Sequence, residues 1–175
     1  MDDQRPQSNY EPSVSYPSDS TFDSRGWRSF FTYRDLGVKA STGDDYDFRV
    51  VRAGSGNPVP TGWHYHILNA QIIYCLGGWE AIALEDGRVI KLVPGTCLNI
   101  PPGYVHNEIG YSPQMEMLVM TNPGTATTVG VDAPEGWDDD KVIAQVAAET
   151  APHRLEQPWV WMDSVGASVP TVTAT

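Results

Sequence analysis

Basic residues are scarce in this chain, with 11 Lys and Arg against 22 Asp and Glu over 175 residues, and they nowhere form a run. A phosphate backbone is tracked by clustered Lys and Arg, so nucleic acid is excluded as an expected partner. Long hydrophobic runs are missing too. No stretch approaches the ~20 apolar residues of a membrane span. The opening "MDDQRPQSNYEPS" lacks the basic-then-apolar order of a secretion signal. The expectation is a cytoplasmic chain with no membrane contact. Cysteine is limited to Cys75 and Cys97, each inside an apolar segment. That pattern predicts buried thiols in a reducing compartment and no disulfide framework. Also absent are a G-x-S-x-G elbow, a phosphate-cradling glycine loop with Lys and Ser or Thr, and a G-x-G-x-x-G between strand and helix. Hydrolytic triads, nucleotide binding and nicotinamide chemistry therefore lack support. No internal repeat is visible, which implies one barrel and not a fused pair.

What is present is a series of short apolar or alternating segments broken by Gly, Pro, Asn and Asp: "DFRVVRAG", "GWHYHIL", "AQIIYCLGG", "EAIALEDG", "RVIKLVPG", "TCLNIPPG", "HNEIG" and "MEMLVMTNPG". Eight or more short strands at such spacing predict an antiparallel sandwich or barrel. The Asp-Gly pair in "LEDGR" suits a tight hairpin turn. One segment reads as helical. "GWDDDKVIAQVAAETA" begins with acidic residues that suit a helix N-terminus and places Val142, Ile143, Val146 and Ala147 on one face, as a lid or brace on the barrel. Residues 1–25 are rich in Ser, Pro, Asp, Gln and Asn and are expected to form a flexible arm. Residues 26–151 then hold the barrel and helix, and residues 152–175 form a tail.

Within "GWHYHILNAQIIYCLGG" (residues 62–78), His64 and His66 alternate in a strand pattern, so both imidazoles leave the same face. Two such histidines are a metal claw or two hydrogen-bonded core residues with similar weight. A third candidate comes from "GTCLNIPPGYVHNE" (residues 95–108), where a forced Pro-Pro-Gly turn precedes His106.

These two segments resemble the paired motifs of the cupin superfamily. The first motif reads G, five residues, H-x-H, three or four residues, E, six residues, G. It is met by His64-Tyr65-His66, Gln71 and Gly78. The second reads G, five residues, P-x-G, two residues, H, three residues, N. It is met by Gly95, Pro101-Pro102-Gly103 and His106. Sixteen residues separate Gly78 from Gly95, as suits a small single-domain member. The resemblance implies an all-β, double-stranded β-helix (jelly-roll) barrel with a short C-terminal helix. It also implies one divalent metal ion held by His64, His66, Gln71 and His106, with Fe(II) favoured and Mn(II), Ni(II) or Zn(II) as alternatives. Three positions depart from the pattern: Gln71 replaces Glu, Gly110 replaces Asn, and Gly62 lies only two residues before His64. The Gln is a chemical change. A carboxamide cancels none of the ion's charge, so the site would favour a chelating anion such as an enolate, catecholate or 2-oxo acid.

Strand parity sets a condition on that ligand set. His66 and Gln71 are five positions apart and cannot share a face along one uninterrupted strand, so a break is required at "LNA", residues 68–70. With Gln71 inward, Ile73 and Cys75 line the cavity and Ile72, Tyr74 and Leu76 face away. With His106 inward, Glu108 follows it, either as a carboxylate that holds an imidazole or acts as a base beside the metal, or as a solvent-exposed residue at the barrel mouth. Tyr104 in the turn could reach over the mouth or pack on a neighbouring strand. The expected function is that of a non-haem dioxygenase acting on a small aromatic or dicarbonyl-like anion. The alternatives are a non-redox metal-dependent lyase, isomerase or cyclase, and a small-ligand-binding cupin without catalysis. Trp63, Tyr65, Tyr74 and "SFFTYRDLGV" place many large side chains off the cavity face, which predicts a homodimer with packed sheets.

Overall fold

A computed structural model describes residues 8–54 and 60–150. The tail expected over residues 152–175 lies outside the described residues, as do the side chains of Val146 and Ala147.

Ten strands run along the chain as β1 (Phe31–Asp35), β2 (Asp47–Ala53), β3 (His64–Ile67), β4 (Ala70–Gly77), β5 (Glu80–Leu84), β6 (Val89–Leu92), β7 (Cys97–Ile100), β8 (His106–Tyr111), β9 (Glu116–Asn122) and β10 (Thr127–Gly130). A four-residue helix, α1 (Val38–Ser41), joins β1 to β2, and α2 (Asp139–Thr150) follows the last strand. All eight segments read as strands from the sequence are strands; β1, β10 and α1 were not expected. β1 escapes a local reading because it is an edge strand whose alternation begins inside the aromatic run "SFFTY". The strands form two five-stranded sheets, ordered β1-β2-β9-β4-β7 and β10-β3-β8-β5-β6. All pairings between these strands are antiparallel. The sheets face each other across one core, as in a jelly roll.

Alternation decides which side chains meet in that core. In β4, Gln71, Ile73 and Cys75 are buried while Tyr74 and Leu76 point to solvent. β5 is buried on both faces, so it reads as a short continuous apolar run. Ile82 and Leu84 enter the main core beside Phe31, Tyr33, Met115 and Met117. Ala81 and Ala83 face the other way, into a second cluster with Trp63 and Ile109 that Trp137 and Val142 cover. The helix thus braces the outer face of the second sheet. Trp63 meets Trp137 edge-to-face at 4.8 Å between centroids, so this chain's own C-terminal segment covers one of the aromatics that suggested a dimer.

Three local features correct or sharpen the sequence reading. Residues 8–25, expected as part of a flexible arm, are tied to the body where described. Glu11 N–H donates to the Ser41 carbonyl at 3.0 Å, the Tyr10 hydroxyl donates to Asp45 at 2.6 Å, and Asp23 bridges to Tyr33. Few aliphatic residues are needed for this, because backbone hydrogen bonds and aromatic edges supply the contacts. Of the two cysteines expected to be buried, Cys75 is, but Cys97 is exposed; on β7 it alternates outward with Asn99 while Ile100 is buried. The Asp-Gly hairpin holds, with Gly87 at φ 85° and its N–H donating to the Leu84 carbonyl at 2.9 Å.

Gly78 closes β4 at φ 61°, where a Cβ would lie 2.3 Å from the Ser112 hydroxyl and 2.6 Å from the Gln114 backbone. Gly95 also has positive φ, 92°, but nothing lies within 4 Å of its notional Cβ. Gly95→Ala is expected to lose about 1–2 kcal/mol from backbone strain alone. Gly78→Ala, which adds a clash with backbone, should lose clearly more. Urea unfolding of both variants measures the difference.

Candidate metal centre

The three histidines are brought together by strand pairing. His64 and His66 leave the inner face of β3, and His106 stands directly across from His64 on β8. Their ring centroids are 4.4–5.2 Å apart, and one ligand nitrogen from each lies within 4.8 Å of the others. All three are buried, at 3%, 8% and 0% exposure for His64, His66 and His106. Three imidazoles converging at such depth, where core packing favours apolar side chains, are a group that could hold a metal ion.

Each ring is oriented through its Nδ1. That of His64 is 2.7 Å from the Gly62 carbonyl, that of His106 is 2.9 Å from the Tyr104 carbonyl, and that of His66 is 3.0 Å from the Thr128 hydroxyl. A carbonyl oxygen only accepts, so the proton of His64 and of His106 sits on Nδ1 and each Nε2 carries a free lone pair. The Thr128 contact follows from register, since Thr128 pairs with His66 across β10 and β3. Burial, with the nearby His106 and His64, holds His66 down to about 4, and burial lowers His106 as well. Neutral imidazoles with inward lone pairs are what a cation requires.

The break that parity demanded lies at Leu68–Asn69, where the chain leaves one sheet for the other. Gln71 consequently faces the same cavity from the opposite wall, 4% exposed. Its Oε1 and the Nε2 of His106 are buried with no hydrogen-bond partner among the described residues. Two orphaned acceptors at the centre of a polar cluster fit a bound cation, because otherwise each carries a desolvation penalty of about 1–3 kcal/mol.

Glu108 lies inward beside this cluster and not out at the mouth. Its Oε1 is 3.8 Å from the Nε2 of both His64 and His106, and its Oε2 accepts a hydrogen bond from the Thr61 hydroxyl. Burial raises its carboxyl, but positive charge at His64 and His106, when present, and the Thr61 hydrogen bond lower it, and the net direction is down. Tyr104 takes the packing alternative, donating its hydroxyl to Asp86 at 2.9 Å on the hairpin and leaving the cavity wall to others.

Several cavity residues were not singled out from sequence. Trp27 and Arg28 reach the cavity from the segment before β1, and Glu80 enters it at the start of β5. Glu80 is 5% exposed, and burial, with the charge of Glu108, pushes its carboxyl up to about 8. Its signal was a lone acid in the inward register of "WEAIAL". Arg28 and the positioning hydroxyls of Thr61 and Thr128 left none, because their roles depend on segments distant in sequence. The cavity is small, about 50 Å3. That is room for on the order of four waters.

Glu80 has a measurable consequence. A carboxyl whose folded pKa is raised contributes stability below its unfolded value, near 4.5, that is lost as pH rises toward about 8. Glu80→Gln should therefore match the parent protein near pH 4.5 and become progressively more stable than it by pH 8. Denaturant midpoints across that range measure the crossover.

No family model matches the sequence, and no curated protein matches it. Solved structures do match. The polyketide cyclase RemF from Streptomyces resistomycificus aligns at 22% identity and TM-score 0.57, over 71% of this chain and 89% of that one. KdgF from Halomonas sp. aligns at 17% identity and TM-score 0.53, over 65% of this chain and 94% of that one. A mutant of Bacillus subtilis oxalate decarboxylase OxdC aligns at 17% identity and TM-score 0.50, over 74% of this chain but 34% of its own length. With two facing antiparallel sheets, this chain has the fold of these structures, the cupin jelly roll.

Proposed function

We propose that this chain is a metal-dependent enzyme that performs proton-transfer chemistry on a small molecule, as a lyase, isomerase or cyclase does. The carrying observation is Glu108, a carboxylate 3.8 Å from two of the three inward Nε2 atoms and steadied by Thr61. His64, His66 and His106 would hold one divalent ion, with the Gln71 carboxamide oxygen as a fourth ligand from the opposite wall. The ion would supply Lewis-acid polarisation of a substrate oxygen, and a neutral ligand set leaves its charge undiminished. Glu108 then removes a proton from the carbon alpha to that polarised carbonyl, leaving an enolate, and returns it elsewhere on the substrate. Thr61 keeps the carboxylate ionised and aimed while it does so. Glu80, held neutral, lines the same cavity without adding a second negative charge. RemF is a polyketide cyclase by name, which is compatible with this reading.

The expected dioxygenase becomes the second reading. It draws on the same observation of three imidazoles and an amide, which leave positions open on an iron ion, but it gives Glu108 no task. Zn(II), Mn(II) or Ni(II) suits the first reading and Fe(II) the second. A homodimer is also proposed, formed on the outer face of β4, where Tyr74 and Leu76 are 40% and 44% exposed.

Protein purified without chelator is expected to retain close to one equivalent of metal by elemental analysis. His64→Ala and His106→Ala should lose it, and Gln71→Glu should keep it. In D2O, the metal-replete protein should accelerate carbon-bound proton exchange on members of a panel of 2-oxo acids and 1,3-dicarbonyls, read by proton NMR. Glu108→Gln should slow that exchange by about 10²–10⁴-fold with metal content unchanged. Oxygen uptake on the same panel, insensitive to Glu108→Gln, would favour the dioxygenase. Light scattering should report twice the 19.2 kDa chain mass, and a monomer would refute the dimer.

A further inference from the structure

Arg28 is the one guanidinium among the described residues lining the metal cavity, and the fold takes trouble to put it there. It belongs to the segment 26–30, which precedes β1 and lines the cavity through Trp27 and Arg28. Gly26 is pressed so closely on Tyr33 that a Cβ would fall 2.1 Å from the ring. Next in the chain, the Trp27 ring packs 6.4 Å from that of Tyr33 and 6.3 Å from that of His66. Arg28 N–H donates to the Tyr33 hydroxyl at 2.8 Å, and the Phe30 carbonyl accepts from Gly54 N–H at 2.9 Å. These contacts fix the backbone on both sides of Arg28, so its side chain is held over the cavity.

Among the described residues the guanidinium meets no carboxylate. Its side-chain contact there is Nη2 at 3.5 Å from the Nδ1 of His64. That nitrogen has its proton committed to the Gly62 carbonyl at 2.7 Å and offers no lone pair. The cavity carboxylate Glu108 is engaged by Thr61 and faces the Nε2 side of His64 and His106. An arginine presents five N–H donors in a planar fork that matches a carboxylate two bonds at a time. A fork left open beside a site for a divalent ion gives the cavity an excess of positive charge. Much of the facing wall is apolar, with Phe31, Val51, Ile73, Met117 and Val119 around Gln71.

We propose that Arg28 is the substrate-recognition residue of this cavity, and that the substrate is a small carboxylate whose acid group sits on the Arg28 fork while its polarisable oxygen faces the three histidines. The assignment rests on the reading of the histidine cluster as a metal centre and adds to it the class of molecule admitted. A 2-oxo acid gripped at its carboxylate turns the carbon on the far side of its carbonyl, which carries the acidic protons, to Glu108, and its short apolar body meets the aliphatic wall. A neutral amide of the same shape would leave the guanidinium unmatched, so the site should reject it.

The test uses the protein with the metal it retains on purification and takes pyruvate and pyruvamide as probes in isothermal titration. The parent protein should bind pyruvate at least about tenfold more tightly than pyruvamide. Arg28→Met should remove that preference by weakening pyruvate alone, Arg28→Lys should keep part of it, and both should retain metal. The amide comparison needs no variant and so stands even if a variant folds poorly. Equal affinity for the two probes in the parent protein, no binding of pyruvate, or unchanged pyruvate binding by Arg28→Met overturns the assignment. Failure of the metal reading shows separately, as an absence of metal in the parent protein, whatever the anion preference.

Discussion

Two backbone carbonyls govern the chemistry of this molecule. By accepting the Nδ1 protons of His64 and His106, the Gly62 and Tyr104 carbonyls force both lone pairs onto Nε2, toward the barrel axis. Without those acceptors each ring could flip or change tautomer, and three imidazoles at this separation would be a cluster of desolvated polar groups and nothing more. Both carbonyls lie two residues before the histidine they orient, so each strand carries its own device. The direct pairing of His64 with His106 across β3 and β8 then sets the spacing.

Around that centre the fold sorts charge by depth. Two glutamates enter one cavity and are pushed apart: Glu108, next to the histidines and Thr61, is held ionised, while Glu80, buried in β5, keeps its proton to about pH 8. A β-bulge between β5 and β8, at Ala81–Ile82, contributes to this, since it turns Tyr111 into the core opposite Glu80. Neighbouring carboxyl groups with different protonation are a common basis for acid and base roles in one site. The positive side of the cavity comes from outside the barrel strands altogether, through Arg28.

The asymmetry of the two walls matters equally. One sheet contributes the histidines and both glutamates, whereas the other contributes Gln71 among aliphatic and thioether side chains. Polar groups are thus concentrated on one face, and Gln71 alone carries a carboxamide into the cavity from the β4 strand of the other. Helix α2, through Val142, and Trp137 just before it cover the back of the polar sheet, and Trp137 packs on Trp63 immediately before β3.

The chain's local chemistry determined much of this. Alternation placed Gln71, Ile73 and Cys75 inward and put Glu108 with His106, and the five-residue offset between His66 and Gln71 required the break found at Leu68–Asn69, because side-chain direction along a strand is a local, period-two property. The eight central strands and the Asp-Gly hairpin are likewise consequences of neighbouring residues. Tertiary structure alone decided the rest. Whether Glu108 met solvent or the histidines, which hydroxyl oriented His66, how high burial raised Glu80, that Cys97 would be exposed on β7, and that Arg28 would lie over the cavity all depend on which distant segment packs alongside. Desolvation and through-space charge are set by those neighbours, and sequence order carries no record of them.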